Sequence, residues 1–137
     1  HSVFVDTNFS KTFLHGHSFS ANPVACAAAL SSLNLFNEDK TFIKIEEISK
    51  IHNDCLKKIS KLQNISKIRK LGTIAAFDFK NISDSYGSLE SLEMRKKFLE
   101  NGLLLRPLGN TVYFMPPYCI KKENLINSYE KLIEILQ

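Results

Sequence analysis

Hydrophobic residues recur along this chain with two periods, and the alternation between them outlines a fold. Ile45, Ile48, Ile51, Cys55, Ile59 and Leu62 are spaced by three and four, which places them on one face of a long helix. Leu125, Ile126, Tyr129, Leu132, Ile133 and Leu136 repeat that spacing and predict a closing helix from Lys121 onward. Between them, residues 68–79 turn to β-type composition and predict a strand, with Gly72 as a bulge or a point of close backbone approach. Residues 81–87 read as loop. Ser88 is placed to cap a helix over Leu89–Glu100, and Asn101-Gly102 ends it with the residue type that a left-handed C-terminal cap requires.

Two short strand-like stretches, residues 103–106 and 111–115, then flank a Pro/Gly/Asn turn. Near the N-terminus, Asn22-Pro23 supplies an N-cap and a first-turn proline, and the small-sided body over residues 24–36 suits a helix packed closely on a neighbour. Residues 37–40 make a short break. The order helix, helix, strand, helix, strand, strand, helix fits an α+β arrangement, a small sheet with helices on one face.

Length and composition set the limits. A chain of 137 residues, 44% of them hydrophobic, can bury one sizeable core. No apolar run approaches the roughly twenty residues of a membrane span, so the cytoplasm is the expected compartment. Cys26, Cys55 and Cys119 are widely separated, odd in number and set among apolar neighbours, which predicts reduced core residues and no disulfide frame. The net charge of +4 comes from lysines scattered over solvated faces. A nucleic-acid partner would call for clustered basic residues interleaved with aromatics, and none is expected. A mildly positive surface nevertheless favours the approach of anions.

Two places carry candidate chemistry. Arg106 sits inside the apolar run Leu103-Leu104-Leu105-Arg106-Pro107-Leu108-Gly109-Asn110 with no acid close by in sequence. A guanidinium kept from water without a partner is costly, so Arg106 calls either for a distant carboxylate of its own fold or for an anionic ligand, for which a planar carboxylate is the natural guest. The second place is the loop His15-Gly16-His17-Ser18-Phe19-Ser20-Ala21 before Asn22-Pro23. Its hydroxyls, its loop amides and the helix start beyond it could cradle a phosphate, or the loop could be no more than the polar lead into a capped helix. His15 and His17 make a poor metal pair, since no Cys, Asp or Glu falls at ligand spacing and His1 and His52 stand apart.

Taken together, the two motifs resemble the C-terminal part of the class III pyridoxal-phosphate aminotransferases, over nearly the whole chain. Tyr113 and Met115-Pro116-Pro117-Tyr118 look more like the biotin-pathway branch of that family than its ornithine or acetylornithine branches. The resemblance implies the small C-terminal domain of a fold type I pyridoxal 5'-phosphate enzyme over residues 37–137, preceded by a loop and helix, residues 1–36, at the edge of the large domain. It implies that His17 and Ser18 meet the cofactor phosphate of the partner subunit in a homodimer. It also implies that Gly16 and Tyr113 line the substrate site and that Arg106 holds a substrate carboxylate, the substrates being a long keto acid and adenosylmethionine. The family's Schiff-base lysine, the aspartate beside the pyridine nitrogen and the stacking aromatic lie upstream of the loop. The chain by itself is therefore expected to be inactive. An ω-amino-acid aminotransferase is the nearer alternative, and a non-catalytic dimerisation or binding module, with Arg106 in an internal salt bridge, the further one.

Overall fold

A computed structural model describes residues 5, 7–11 and 15–137, Phe9 by its backbone alone. The chain divides into two compact units, His1–Glu38 and Asp39–Gln137. His1 and part of the expected large-domain segment, residues 1–36, lie outside the described residues.

Within the first unit, a short 3-10 turn at Phe9–Lys11 is followed by the loop of interest and by α1, Pro23–Glu38. Asn22 caps α1 as its position predicts: its side-chain oxygen accepts from the amides of Val24 at 3.0 Å and Ala25 at 3.2 Å. No residue of α1 is buried, and Val24, Leu30, Leu33 and Leu35 are exposed.

The second unit holds α2 (Thr41–Ile59), β1 (Ile65–Leu71), β2 (Ile74–Phe79), α3 (Leu89–Glu100), β3 (Thr111–Phe114) and α4 (Lys122–Leu136). The strands form one antiparallel sheet in the order β1-β2-β3. Pairing of Ala75 with Phe114 and of Phe77 with Val112 puts these residues on one face with Phe79 and Ile65. All are buried, together with Ile48, Cys55 and Ile59 of α2, Phe98 of α3, and Leu125, Tyr129 and Leu132 of α4. Burying these side chains is the main favourable term in the folding of the unit. The other face carries Ala76, Asp78, Thr111 and Tyr113, so the sheet has an apolar side and a side that mixes polar groups.

The single strand expected over residues 68–79 is two strands. Leu71 pairs with Ile74 across a two-residue turn, Gly72-Thr73, in which Gly72 carries φ +55°. Glycine at the first central position of a two-residue hairpin is the type II′ signature. Gly72 is therefore the hairpin turn, while the register shift lies between Ser66 and Arg69, where Lys67 has φ +45°.

A second departure concerns residues 103–106, which form no strand. Their side chains alternate inward and outward as a strand's would, but among the described residues they pair with no strand, and the isolated bridge nearby, Leu108 to Thr111, closes the turn that follows. Among the cysteines, Cys55 is buried and its thiol is pushed up by burial, whereas Cys26 and Cys119 are exposed, against the expectation that all three belong to the core. All three are free thiols.

His52 belongs to neither motif and is fully buried. Its Nδ1 lies 2.6 Å from the Tyr129 hydroxyl and its Nε2 2.9 Å from the Thr73 carbonyl oxygen. A carbonyl can only accept, so Nε2 carries the proton and Nδ1 accepts from Tyr129. Burial lowers the His52 pKa and keeps the ring neutral, and burial raises that of the Tyr129 phenol. The ring thus ties α2 to α4 and to the β1–β2 turn.

Candidate functional site

The approach to Arg106 begins where α3 stops. The Gly102 amide donates to the Leu99 carbonyl at 2.9 Å and the Leu103 amide to the Phe98 carbonyl at 2.8 Å, the paired bonds of a Schellman cap, with Gly102 at φ +76°. From there the chain runs extended. Leu103, Leu105 and Pro107 point inward and are buried, while Leu104, Arg106 and Leu108 point outward and are exposed. Leu105 and Pro107, buried on either side, thus anchor the backbone and present the guanidinium to solvent.

The turn after Arg106 is equally fixed. Leu108 and Thr111 exchange backbone hydrogen bonds of 2.8 and 3.0 Å around Gly109-Asn110, and the Asn110 side chain donates to the Phe79 carbonyl at 3.0 Å. Gly109 has φ +58°, and a Cβ there would stand 2.2 Å from the Asp84 carbonyl oxygen. Only glycine lets the loop of residues 81–87 come this close to the turn.

Arg106 donates from Nη2 to the Tyr86 hydroxyl at 2.6 Å. Among the described residues no carboxylate lies within ion-pair distance of it. Its apolar run suggests a guanidinium kept from water, but Arg106 is exposed and solvent can satisfy it; the internal salt bridge is not formed among the described residues. Tyr113 lies in β3 opposite Ala76, half-buried, and no hydrogen bond joins it to Arg106.

Tyr86 has no signature in the sequence, because its relation to Arg106 spans twenty positions and an otherwise plain loop. A second polar cluster also went unpredicted, although one acid in the apolar run Ile74–Phe79 is a visible signal. Asp78 is buried and accepts from Arg69 Nη1 at 2.8 Å and from the Thr111 hydroxyl at 2.8 Å, with Lys67 at 3.6 Å. Burial opposes its charge, but the hydrogen bonds from Thr111 and Arg69 and the nearby cations outweigh it and hold the carboxyl below its ordinary range.

In the first unit, residues 15–22 form a tight turn. The His17 amide donates to Ser20 Oγ at 2.9 Å, the Ser20 amide to the His17 carbonyl at 2.9 Å, and the Asn22 amide to the Phe19 carbonyl at 3.2 Å. Ala21 has φ +59°. The expected cradle of orphan amides is therefore largely absent, since the amides of His17, Val24 and Ala25 already have partners. The Ser18 hydroxyl is exposed and forms no hydrogen bond among the described residues. His17 stacks on Phe19 with ring centroids 4.8 Å apart and meets His15 edge-on at 4.9 Å. A Cβ at Gly16 would meet nothing within 4 Å. The Ser18 hydroxyl and the His17 ring remain as exposed side-chain groups able to donate to an anion, with open space beside Gly16. No group of three His, Cys, Asp or Glu residues able to hold a metal occurs among the described residues.

Both motifs lie within the stretch matched by known proteins. The family described as Aminotransferase class-III matches residues 2–136. An adenosylmethionine-8-amino-7-oxononanoate aminotransferase of Synechococcus elongatus is 36% identical over 99% of this chain and 32% of its own length. Its counterpart in Helicobacter pylori is 39% identical over 93% of this chain and 29% of its own length. Among solved structures, an acetylornithine aminotransferase from Elizabethkingia anophelis superimposes with a TM-score of 0.75 at 28% identity, over 89% of this chain and 32% of that one. The chain thus spans about a third of the length of the relatives it matches. Class III aminotransferases depend on pyridoxal phosphate, and their structures share the fold type I architecture to which this small three-stranded sheet and its helices correspond. With the match running almost from end to end and both motifs inside it, the chain belongs to the class III aminotransferase family.

Proposed function

We propose that the protein to which this chain belongs transfers an amino group from adenosylmethionine to 8-amino-7-oxononanoate, a step of biotin biosynthesis, as a cytoplasmic homodimer using pyridoxal 5'-phosphate. In this reading, residues 1–36 edge the large domain and residues 37–137 form the small one. The observation that carries the proposal is the Arg106 guanidinium, held outward by buried neighbours and given no carboxylate by its own unit. The relatives' names supply the substrates.

When bound, pyridoxal phosphate supplies the electron sink for amino-group transfer. The residues of this chain bind and orient. Arg106 grips the far carboxylate of the keto acid through paired N–H donors, which fixes where the ketone at the other end must lie. Ser18 would donate a hydrogen bond from its hydroxyl to the cofactor phosphate of the partner subunit, with His17 beside it. Gly16, having no side chain, would leave room for substrate, and Tyr113 would contact substrate from its own unit. None of the chain's lysines stands in the family's Schiff-base context, so these 137 residues alone are expected to form no covalent link to the cofactor and to be inactive.

The likeness to an acetylornithine aminotransferase favours a second reading, an ω-amino-acid substrate with the same cofactor. Amino-donor competition in the complete enzyme separates the two. Conversion of adenosylmethionine supports the biotin-pathway reading, and conversion of ornithine or 4-aminobutyrate in its place overturns it. Borohydride reduction of this chain with pyridoxal phosphate is expected to leave no stoichiometric adduct on any one lysine.

A further inference from the structure

We infer that Tyr86 is the second arm of the carboxylate site: its hydroxyl accepts a hydrogen bond from Arg106 and donates one to the same substrate carboxylate. The inference rests on the reading of Arg106 as a carboxylate clamp. Three observations carry it.

The first is the direction of the bond. Nη2 of a guanidinium can only donate, so at 2.6 Å the Tyr86 oxygen is the acceptor. The phenolic proton is then left over, and among the described residues no protein acceptor takes it. Arg106 keeps four of its five N–H donors for a guest. Two groups that touch each other and both offer protons outward suit a ligand that accepts from several directions, which is what a carboxylate does.

The second is that Tyr86 is exposed, at 70%, on a loop that is nevertheless pinned. Ile82 packs against the core, and the Asp84 backbone rests where Gly109 has no side chain. At the far end, Ser88 caps α3 through its Oγ, which accepts from the Ser91 amide. Loop and arginine turn are thus held together by the close approach at Gly109 as well as by the Tyr86 hydrogen bond, so the phenol stays near the guanidinium even when its bond shifts to a ligand.

The third is charge. A protein carboxylate at this place would neutralise Arg106 and compete with an anionic guest. A phenol orients the guanidinium and leaves its charge available.

The test uses the complete enzyme with wild type, Tyr86→Phe, Arg106→Ala and the double variant. It measures KM and kcat for the keto acid and inhibition by nonanoate and by nonanamide, which shares the carbon chain but not the charge. Tyr86→Phe is expected to raise KM and the nonanoate inhibition constant roughly tenfold. It should leave kcat and nonanamide inhibition within about twofold, and it should add less in the Arg106→Ala background than alone. If Arg106→Ala weakens nonanoate and Tyr86→Phe does not, Tyr86 has no part in the site. If Tyr86→Phe weakens nonanoate and nonanamide alike, its role is structural and the inference fails. If Arg106→Ala itself leaves nonanoate binding unchanged, the clamp reading falls, and this inference with it.

Discussion

Arg69 and Arg106 both extend from elongated segments of the Asp39–Gln137 unit, yet their surroundings differ in kind. Arg69 reaches across the sheet to buried Asp78 at 2.8 Å, donates to the Lys67 carbonyl at 2.6 Å and lies near the Thr111 hydroxyl. Arg106 meets one neutral hydroxyl. The first cation completes the fold, since without it Asp78 would be a buried anion short of a counter-charge. Removing the second should cost the fold almost nothing, because its buried neighbours Leu105 and Pro107, not its guanidinium, hold the backbone. A charge satisfied inside the domain serves the fold, and a charge directed outward by buried neighbours, with only a neutral partner, stays open to an anionic ligand.

Substitutions can break this comparison in either direction. Arg106→Ala has the largest expected effect. Losing a bidentate, charge-assisted contact of about 1.5–3 kcal/mol should lower kcat/KM for the keto acid roughly tenfold to a hundredfold. The melting temperature should stay within a degree or two, since the side chain is exposed. A large drop in stability with unchanged kinetics would reverse the roles given to the two arginines.

Arg69→Ala should do the opposite, destabilising the unit by about 1–3 kcal/mol by leaving the Asp78 carboxylate buried with fewer donors, with KM unchanged. For a unit of this size, thermal melting should shift by roughly 4–8 °C per kcal/mol. Asp78→Ala is expected to cost less than Arg69→Ala, because an unpaired Arg69 can turn to water. Combining the two substitutions should cost less than their sum.

Titration sharpens the contrast further. The Asp78 carboxyl is held below its ordinary range in the folded state, so its stabilisation is present above about pH 4 and is lost as pH falls through the folded value. His52 is depressed too, but it is a base: the unfolded chain takes up its proton first, so stability declines as pH falls below about 6.5 toward the folded value. Denaturant midpoints measured from pH 8 to pH 3 should therefore fall in two stages. Arg69→Ala should alter the lower stage alone, and Arg106→Ala neither.

Ser88→Ala, the mildest change, removes the α3 cap and should cost about 1 kcal/mol. If the loop of residues 81–87 serves the arginine, the same change should also raise KM for the keto acid, though less than threefold. Chemical denaturation and steady-state kinetics on one preparation check both.

Local rules reached most of the secondary structure. The span of α3, its Ser88 cap and its Gly102 stop follow from residue types within a turn of each end, and the Asn22 cap does too. They failed where partners decide the outcome. Residues 103–106 alternate like a strand but lack a neighbour to pair with, and Gly72 reads equally well as a bulge or a hairpin until Leu71 is seen opposite Ile74. Arg106 stood out because one cation in an apolar run is conspicuous by itself. Tyr86 and the close approach of Asp84 to Gly109 did not, because each depends on a fold that joins segments twenty or more residues apart in sequence. The loop amides around His17 looked available only until the partners contributed by Ser20 and Asn22 were in view.

The imidazole wedged between Tyr129 and Thr73 has a practical use. Its Nε2 proton is shielded from solvent exchange, so it should give a resolved downfield signal in a proton NMR spectrum. Because that proton bridges a helix and a hairpin, the signal should vanish when the two part company, even if each stays intact. One resonance would then report on docking, separately from the helical content that circular dichroism follows.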